Sequence, residues 1–279
     1  MFRHEIHPDI RPIIEPQEWF YDAAASTLEF LLRRQSEQFN GQTVVDIGEP
    51  VMQDPGIIST THRSNQDSAV LGVVDPNWIR FLAKDEMWHT IEAKFTDSEG
   101  VAKVGKTALW AIRKADSAIG MIPELGGSFP AGRDDNFNWP ELIAITGIGL
   151  ANGNHIGAYW EGKRIKPYDK KADKHYDITK VQRLKRGPGM LAVVHDVPLQ
   201  TGAIWGSHYA KVKNVLHKKP IVVNMGEPVR VSEVIGREVD PTNDRDVLRA
   251  SGQFNREMKP ILQALLDKAI KVFGEEANA

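Results

Sequence analysis

The sequence contains no cysteine. This absence excludes disulfides, thiolate catalysis and cysteine-ligated metal sites, and it permits an intracellular location without requiring one. No uninterrupted apolar run reaches the roughly 18 residues needed to span a bilayer, and the first seven residues, MFRHEIH, contain no apolar signal segment. We therefore expect a cytoplasmic protein that neither crosses a membrane nor is secreted.

A basic excess, internal repeats and a hydrolase elbow are also missing. The formal net charge of -2 at pH 7 argues against a general nucleic-acid binder. The sequence has no fixed-period repeat, and it has no G-x-S-x-G turn of the kind that carries a serine nucleophile. With 279 residues, 41% of them hydrophobic, the chain is long enough to bury a substantial core, and we expect a single domain.

Short apolar runs alternate with stretches of helical spacing along the chain. Strands are predicted for residues 44–47, 57–60, 78–83, 118–122, 155–160, 199–205 and 220–225. Helices are predicted for 18–39, 67–74, 101–114, 140–150, 187–195 and 244–273, the last kinked or divided by Pro260. Residues 126–138 are rich in Gly, Asp and Asn and are expected to form a loop. The alternation predicts an α/β fold with a mostly parallel or mixed central sheet flanked by helices.

His62 and Asp67 lie where a predicted strand gives way to a predicted helix. Open α/β sheets keep their ligand crevice at such junctions, where helix N–H groups are also free. A neutral imidazole accepts a proton from an attacking hydroxyl near pH 7, and a carboxylate on its other nitrogen holds the tautomer. The pair is a candidate general base without its own nucleophile. The alternative is a loop histidine beside a helix-capping aspartate.

A basic run occupies residues 163–186. Its cations are Lys163, Arg164, Lys166, Lys170, Lys171, Lys174, Lys180, Arg183, Lys185 and Arg186, opposed only by Asp169, Asp173 and Asp177. The run is interpreted as a solvated loop, or as a patch that faces anionic lipid headgroups or a phosphorylated substrate. The predicted helix at 18–39 has two interpretations as well, a helix packed on the core or an interfacial helix anchored by Trp19 and Phe20.

Four sequence blocks follow one another within residues 42–232. The first is Thr61-His62-Arg63-Ser64-Asn65-Gln66-Asp67, and the second is Ala83-Lys84-Asp85-Glu86-Met87, with Arg113–Ile119 further on. The third is Tyr159-Trp160-Glu161-Gly162-Lys163-Arg164-Ile165, and the fourth runs from 184 to 192 and from 197 to 204. In their order and spacing they resemble the glycerophospholipid acyltransferase superfamily, with its patterns N-H-x-S-x-x-D, A-K-x-E-L, F-P-E-G-T-R-S and V-P-I-V-P-V-A-I.

The resemblance implies one acyltransferase domain over residues 1–279, with an N-terminal arm and helix at 1–40, a catalytic core at 42–232 and a C-terminal helix at 240–273. It implies an O-acyltransferase (EC 2.3.1) that moves a fatty acyl group from acyl-CoA or acyl-carrier protein to the hydroxyl of a lysophospholipid or related glycerol phosphate. His62 would deprotonate that hydroxyl and Asp67 would orient His62. Neither a cofactor nor a metal is expected.

The resemblance also assigns substrate-binding residues. Arg164 would grip a phosphate, Gly162 would let the backbone approach closely, and Glu161 would orient Arg164 or polar groups of the acceptor. Arg63, Ser64, Lys84 and Lys163 are the other candidates. As partners we expect a membrane surface and no nucleic acid, with peripheral attachment on the inner face of the membrane through the helix around Trp19 and the basic run.

The sequence departs from the family pattern in several blocks, beginning with Thr61 in place of the Asn of the first block. In the family, the segment that resembles Arg113–Ile119 is followed by a motif that usually ends in an arginine. Ile119–Glu124 contains no arginine at that place, and Arg133 in the following loop is the candidate substitute. Trp160 and Lys163 replace the usual Pro and Thr of the third block. These changes leave two alternatives, an acyl-thioester hydrolase on the same fold and a lipid-binding protein with altered catalysis.

Overall fold

The structure is a computed structural model that describes residues 38–39, 42–64, 67–74, 79–84, 129–131, 138–169, 173–209 and 219–277. The chain divides into two compact units, residues 1–28 with 80–148 and residues 29–79 with 149–279. The expectation of a single acyltransferase domain stays a prediction.

The strands are β1 (Gln38–Phe39), β2 (Gln42–Asp46), β3 (Ile57–Thr60), β4 (Ile79–Lys84), β5 (Phe129–Ala131), β6 (His155–Tyr159), β7 (Tyr168–Asp169), β8 (Lys174–His175), β9 (Leu199–Trp205) and β10 (Ile221–Val229). The helices are α1 (Asp67–Val74), α2 (Trp139–Ala151), α3 (Gly187–Val194), α4 (Val231–Ile235) and α5 (Asp244–Glu276).

The larger unit is built on a sheet with the strand order β1-β2-β10-β9-β3-β6. Strand β3 runs parallel to both β6 and β9, and β2 runs parallel to β10. The β9–β10 and β1–β2 pairs are antiparallel. In the smaller unit, β4 and β5 form a parallel pair. The structure therefore confirms the predicted α/β fold with a mostly parallel sheet flanked by helices.

Strand β3 is central and leads directly to the first sequence block. All four of its residues are buried, as are all seven of β9, which is typical of strands covered on both faces. In register, Thr60 at the end of β3 lies between Tyr159 on β6 and Gly202 on β9. The residues that follow the carboxyl ends of β3, β6 and β9 therefore meet at one edge of the sheet.

Helix α5 covers this sheet with a long apolar face. It packs on β9 and β10 and contacts α3 and α4. Asn243 caps its first turn by accepting hydrogen bonds from the backbone N–H groups of Arg245 and Asp246. The buried positions recur every three or four residues: Val247, Ala250, Ser251, Phe254, Met258, Leu262, Leu266, Ala269 and Phe273. This spacing confirms the amphipathic helix predicted at the end of the chain.

Pro260 does not divide α5, so of the two predicted effects only a kink stays a prediction. The helix is one continuous element of 33 residues with Pro260 inside it. Proline has no N–H to bond the carbonyl four residues earlier, which belongs to Arg256. Arg256 and Pro260 both lie on the exposed side of the helix. Water can therefore satisfy the freed carbonyl, while Met258 and Leu262 stay buried on the other side.

Three further strands differ from the predictions, besides the unpredicted β7 and β8 and shifts of a few residues at the ends of other elements. Strand β5 lies inside the segment expected to be a loop, and residues 38–39, expected to end a helix, form β1. Strand β10 continues past Met225 to Val229 because a register shift between Met225 and Pro228 lets the strand accommodate a proline. Such irregularities depend on neighbouring strands and leave no periodic pattern in the sequence.

Several predictions lie outside the described residues. They are the rest of the helix at 18–39 with Trp19 and Phe20, the helix at 101–114, the strand at 118–122, the Arg113–Ile119 block, residues 85–87 and Arg133. Within the described ranges, no helix combines the length and the apolar character of a membrane span.

Candidate active site

His62 and Asp67 meet directly after β3. The Nδ1 atom of His62 lies 2.9 Å from Oδ2 of Asp67, and the Asp67 side chain is fully buried. Since an ionised carboxylate only accepts hydrogen bonds, Nδ1 carries the proton and Nε2 has a free lone pair. In the described part of the chain nothing hydrogen-bonds to Nε2, and 16% of the His62 side chain is exposed. The imidazole is therefore arranged to accept a proton at Nε2.

The Asp67 carboxylate is fixed by three donors besides His62. Its Oδ2 accepts hydrogen bonds of 2.8 Å from the backbone N–H groups of Arg63 and Ser64, and its Oδ1 accepts one of 2.6 Å from the Ser207 hydroxyl. Asp67 is also the first residue of α1, where the helix dipole favours a negative charge. The carboxylate is thus held in one orientation toward His62.

Behind this pair, Arg63 and Glu161 form a buried ion pair. Nη1 of Arg63 lies 2.9 Å from Oε1 and 2.8 Å from Oε2 of Glu161, and both side chains are 0% exposed. Arg63 also donates from Nε to the carbonyl of Ile178 and from Nη2 to that of Lys180. Glu161 accepts a 3.2 Å bond from the backbone N–H of His62. The ion pair therefore ties the His62 loop to two later segments of the chain.

This geometry changes the expected part of Glu161. The sequence predicted that it would orient Arg164 or the acceptor, but its carboxylate is bonded to Arg63 and to backbone N–H groups of His62 and Gln182. Arg63, expected to bind substrate, is itself buried. Ser64 is half-buried, and its backbone N–H donates a hydrogen bond to Oδ2 of Asp67. Lys84 ends β4, which belongs to the smaller unit.

Arg164 lines a small cationic cleft, which begins one residue after Gly162 in the chain. Gly162 has a φ of +64°, and a Cβ there would come within 2.8 Å of the Lys185 side chain, so the turn requires glycine. A cavity of about 140 Å³ is lined by Lys163, Arg164, Ile165, Lys166 and Tyr176. The Nζ atoms of Lys163 and Lys174 lie 5.2 and 5.1 Å from the centre of the Tyr176 ring. We call the five lining residues together with Lys174 the cationic cleft.

The cationic cleft adjoins the His62 loop. The backbone N–H of Ile165 donates a 2.8 Å hydrogen bond to the carbonyl of His62. Within the described ranges, no carboxylate pairs with Arg164, Lys166 or Lys174. Their charges are therefore available to an anion. No group of three or more metal-ligating side chains is found among the residues that the structure describes.

No family model and no curated protein matches this chain. Among solved structures it is similar to the 1-acyl-sn-glycerophosphate (LPA) acyltransferase PlsC from Thermotoga maritima, with 17% sequence identity and a TM-score of 0.48. The match covers 90% of this chain and 84% of that chain.

Three residues that the sequence did not assign to the site support the His62–Asp67 pair, two of them by direct contact and the third, Ser68, through Tyr159. Ser207 bonds Asp67, the ring of Tyr159 stacks on His62, and Ser68 bonds Tyr159. A signal for Ser207 and Tyr159 exists in the strand pattern, because residues at the carboxyl ends of parallel neighbours share one edge. It becomes usable only once the strand order is known.

His208 follows Ser207 and lies among aromatic rings. Its ring packs against Trp205 and Tyr209, with centroid distances of 4.6 and 4.1 Å. Both ring nitrogens are buried and lack hydrogen bonds within the described ranges. Burial lowers the pKa of His208 to about 4, so the ring is neutral near pH 7.

The His208 environment predicts an acid-side loss of stability. The unfolded chain takes up the proton near the ordinary pKa of 6.5, whereas the folded protein takes it up near 4, so stability falls as the pH drops between these values. Between pH 7.5 and 5.0 the wild type should lose about 2 kcal/mol relative to His208→Phe, which cannot titrate. Urea unfolding of both proteins at the two pH values measures this difference. Parallel pH dependences would contradict it.

Proposed function

We propose that this chain is an O-acyltransferase that moves a fatty acyl group from a thioester to the hydroxyl of a lysophospholipid or related glycerol phosphate. The observation that carries the proposal is the 2.9 Å contact of His62 with the fully buried Asp67. Asp67 occupies Nδ1, and no serine, threonine or tyrosine hydroxyl of the described residues bonds Nε2. The sequence has no cysteine. A base of this kind without its own nucleophile fits a reaction in which the substrate brings the hydroxyl.

The reaction follows from that arrangement. His62 Nε2 takes the proton of the acceptor hydroxyl as its oxygen bonds to the thioester carbonyl carbon. The tetrahedral intermediate then expels the thiolate by breaking the C–S bond, and the imidazolium returns the proton to the sulfur. Asp67 stabilises the imidazolium in between through Nδ1–H. The base contributes roughly 10²- to 10⁴-fold, and holding the two substrates together supplies most of the remaining acceleration.

The cationic cleft supports a phosphorylated acceptor. Arg164 presents a planar fork that matches phosphate oxygens, and Lys163 and Lys166 add point charges on the same cavity. The Ile165–His62 hydrogen bond sets the cleft beside the loop of the base. A phosphate bound there would keep its glycerol hydroxyl near His62. The ordered sequence blocks, which resemble glycerophospholipid acyltransferases, point to the same class of acceptor.

The remaining partners belong to the same proposal. The donor is acyl-CoA or acyl-carrier protein, no cofactor is required, and the acceptor is taken from a membrane surface. Exposed cations of the basic run, among them Lys163, Lys166 and Lys174, favour attraction to anionic headgroups. We therefore propose peripheral attachment to the inner face of the membrane and no role in nucleic-acid binding.

Arg164→Ala tests the role of the cationic cleft. Loss of a charge-assisted contact costs about 1.5–3 kcal/mol, so kcat/KM for a phosphorylated acceptor should fall about 10- to 100-fold. For an acceptor with the same hydroxyl but no phosphate, the two proteins should have equal kcat/KM. Arg230→Ala is the control, because Arg230 is exposed and pairs with Asp196 outside the cleft. Equal losses for both acceptors would contradict the assignment.

A further inference from the structure

The ring of Tyr159 lies flat on the ring of His62. The two ring centroids are 3.9 Å apart and the planes differ by only 9°. Tyr159 is the last residue of β6, and its register partner on β3 is Thr60, two positions before His62. The parallel pairing of β3 with β6 therefore brings the phenol ring against one face of the imidazole. In that position it prevents the imidazole from tilting toward β6.

Tyr159 is itself anchored to helix α1. Its hydroxyl and Oγ of Ser68 are 2.6 Å apart, and Ser68 directly follows Asp67. Burial, with the Asp67 carboxylate nearby, raises the pKa of the Tyr159 phenol well above its usual value of 10.0, so the hydroxyl stays protonated. Two consecutive residues of α1 thus reach the same imidazole. Asp67 contacts Nδ1 at the edge of the His62 ring. Ser68 bonds Tyr159, whose ring stacks on the face of the His62 ring.

We propose that Tyr159, anchored by Ser68, is a positioning residue that fixes the plane of the His62 ring for proton transfer. This inference rests on the proposed role of His62 as the base. The stack acts on the neutral ring by limiting its rotation, and on the protonated ring by placing a cation against an aromatic face. Since the second interaction exists only after the proton has moved, it lowers the barrier and not only the energy of the ground state.

The anchor is tested by removing each half of the hydrogen bond. Tyr159→Phe keeps the stacking ring and loses the hydroxyl, and Ser68→Ala removes its partner. Each variant should lower kcat for acyl transfer about tenfold, with KM changed less than about twofold, because a small misplacement of the base slows the reaction without weakening substrate binding. The double variant should equal either single variant, since both changes delete the same bond.

Measuring the free energy of unfolding alongside kcat distinguishes a positioning role of the Tyr159–Ser68 bond from a role in folding alone. Ser68→Ala removes the Ser68 hydrogen bond from a buried phenol hydroxyl, whereas the double variant removes that hydroxyl as well. The double variant should therefore be more stable than Ser68→Ala while its kcat stays low. If the bond served only folding, kcat would recover together with stability. Ser251→Ala is the matched control, because it deletes another helix hydroxyl, bonded at 2.8 Å to the Val247 carbonyl, on α5. Its kcat should equal that of the wild type.

A readout that does not require activity keeps this inference separate from the proposed function. The His62 Nδ1–H proton should give a downfield NMR resonance that His62→Gln removes. Its exchange with water should be several-fold faster in Tyr159→Phe and in Ser68→Ala. If the wild type transfers no acyl group, the proposed function fails while this measurement still tests the anchor. Unchanged exchange of the Nδ1–H proton in both variants would overturn the inference, whatever their kcat. Faster exchange with unchanged kcat would also overturn it. So would losses of kcat in the two single variants that add up in the double variant.

Discussion

Glu161→Gln should lower the free energy of unfolding by about 3–5 kcal/mol, because it leaves the Arg63 guanidinium buried without a counter-charge. Both side chains of this pair are 0% exposed, and both carboxylate oxygens face Nη1 of Arg63. Glutamine keeps the shape but can accept on only one atom. Since domains of this kind are stabilised by roughly 5–15 kcal/mol in total, the loss should be obvious in urea unfolding.

Two further variants make this expectation specific. Glu275→Gln breaks the exposed Lys271–Glu275 pair, whose side chains are 77% and 63% exposed, and should change stability by less than about 0.5 kcal/mol. Replacing both partners, Arg63→Met with Glu161→Leu, removes the stranded charge and should recover part of the loss. If Glu161→Gln were as mild as Glu275→Gln, the buried pair would not hold the His62 loop as described.

Asp67→Asn should lower kcat for acyl transfer about 10³- to 10⁴-fold with the fold retained. The amide has nearly the same shape and still offers an oxygen to the backbone N–H groups of Arg63 and Ser64. It carries no charge to stabilise the imidazolium, and it no longer enforces the tautomer in which Nε2 accepts a proton. Steady-state kinetics with a saturating acyl donor, together with circular dichroism, measures the effect.

The control for this variant is Asp196→Asn. The Asp196 side chain is 92% exposed and pairs with Arg230, so its replacement should leave kcat unchanged. A loss below about tenfold for Asp67→Asn would contradict the role of Asp67. The same result would leave His62 as a base that needs no orienting carboxylate.

The position of the His62–Asp67 pair could be predicted from local sequence alone. The buried run 57–60 and the apolar spacing after Asp67 define a strand and a helix, and the structure has both there. Five residues of separation span the turn between them. The sequence also predicts the strand Leu199–Trp205 with its observed bounds.

The side chains around the pair could not be predicted in the same way. Ser207 and Asp67 are 140 positions apart, and Arg63 and Glu161 are 98 apart. Their contacts depend on β3 lying between β6 and β9, and the order of strands in a sheet is not a local property of the sequence. The local pattern predicts that Glu161 orients Arg164 or polar groups of the acceptor, whereas in the structure its carboxylate bonds Arg63. Lys84 and Arg164 carry charges whose roles depend on substrates, and these roles stay predictions.

The most direct test of the account is the transfer of labelled acyl groups by the wild type and by His62→Ala. Acyl-CoA and acyl-carrier protein serve as donors, and a panel of lysophospholipids with glycerol 3-phosphate provides the acceptors. We predict a product with at least one acceptor and a loss of at least about 10²-fold in His62→Ala, with an unchanged unfolding curve. Equal transfer by both proteins would contradict the role of His62. Acyl release without an acceptor would indicate a hydrolase, and the absence of any product would contradict the proposed reaction itself.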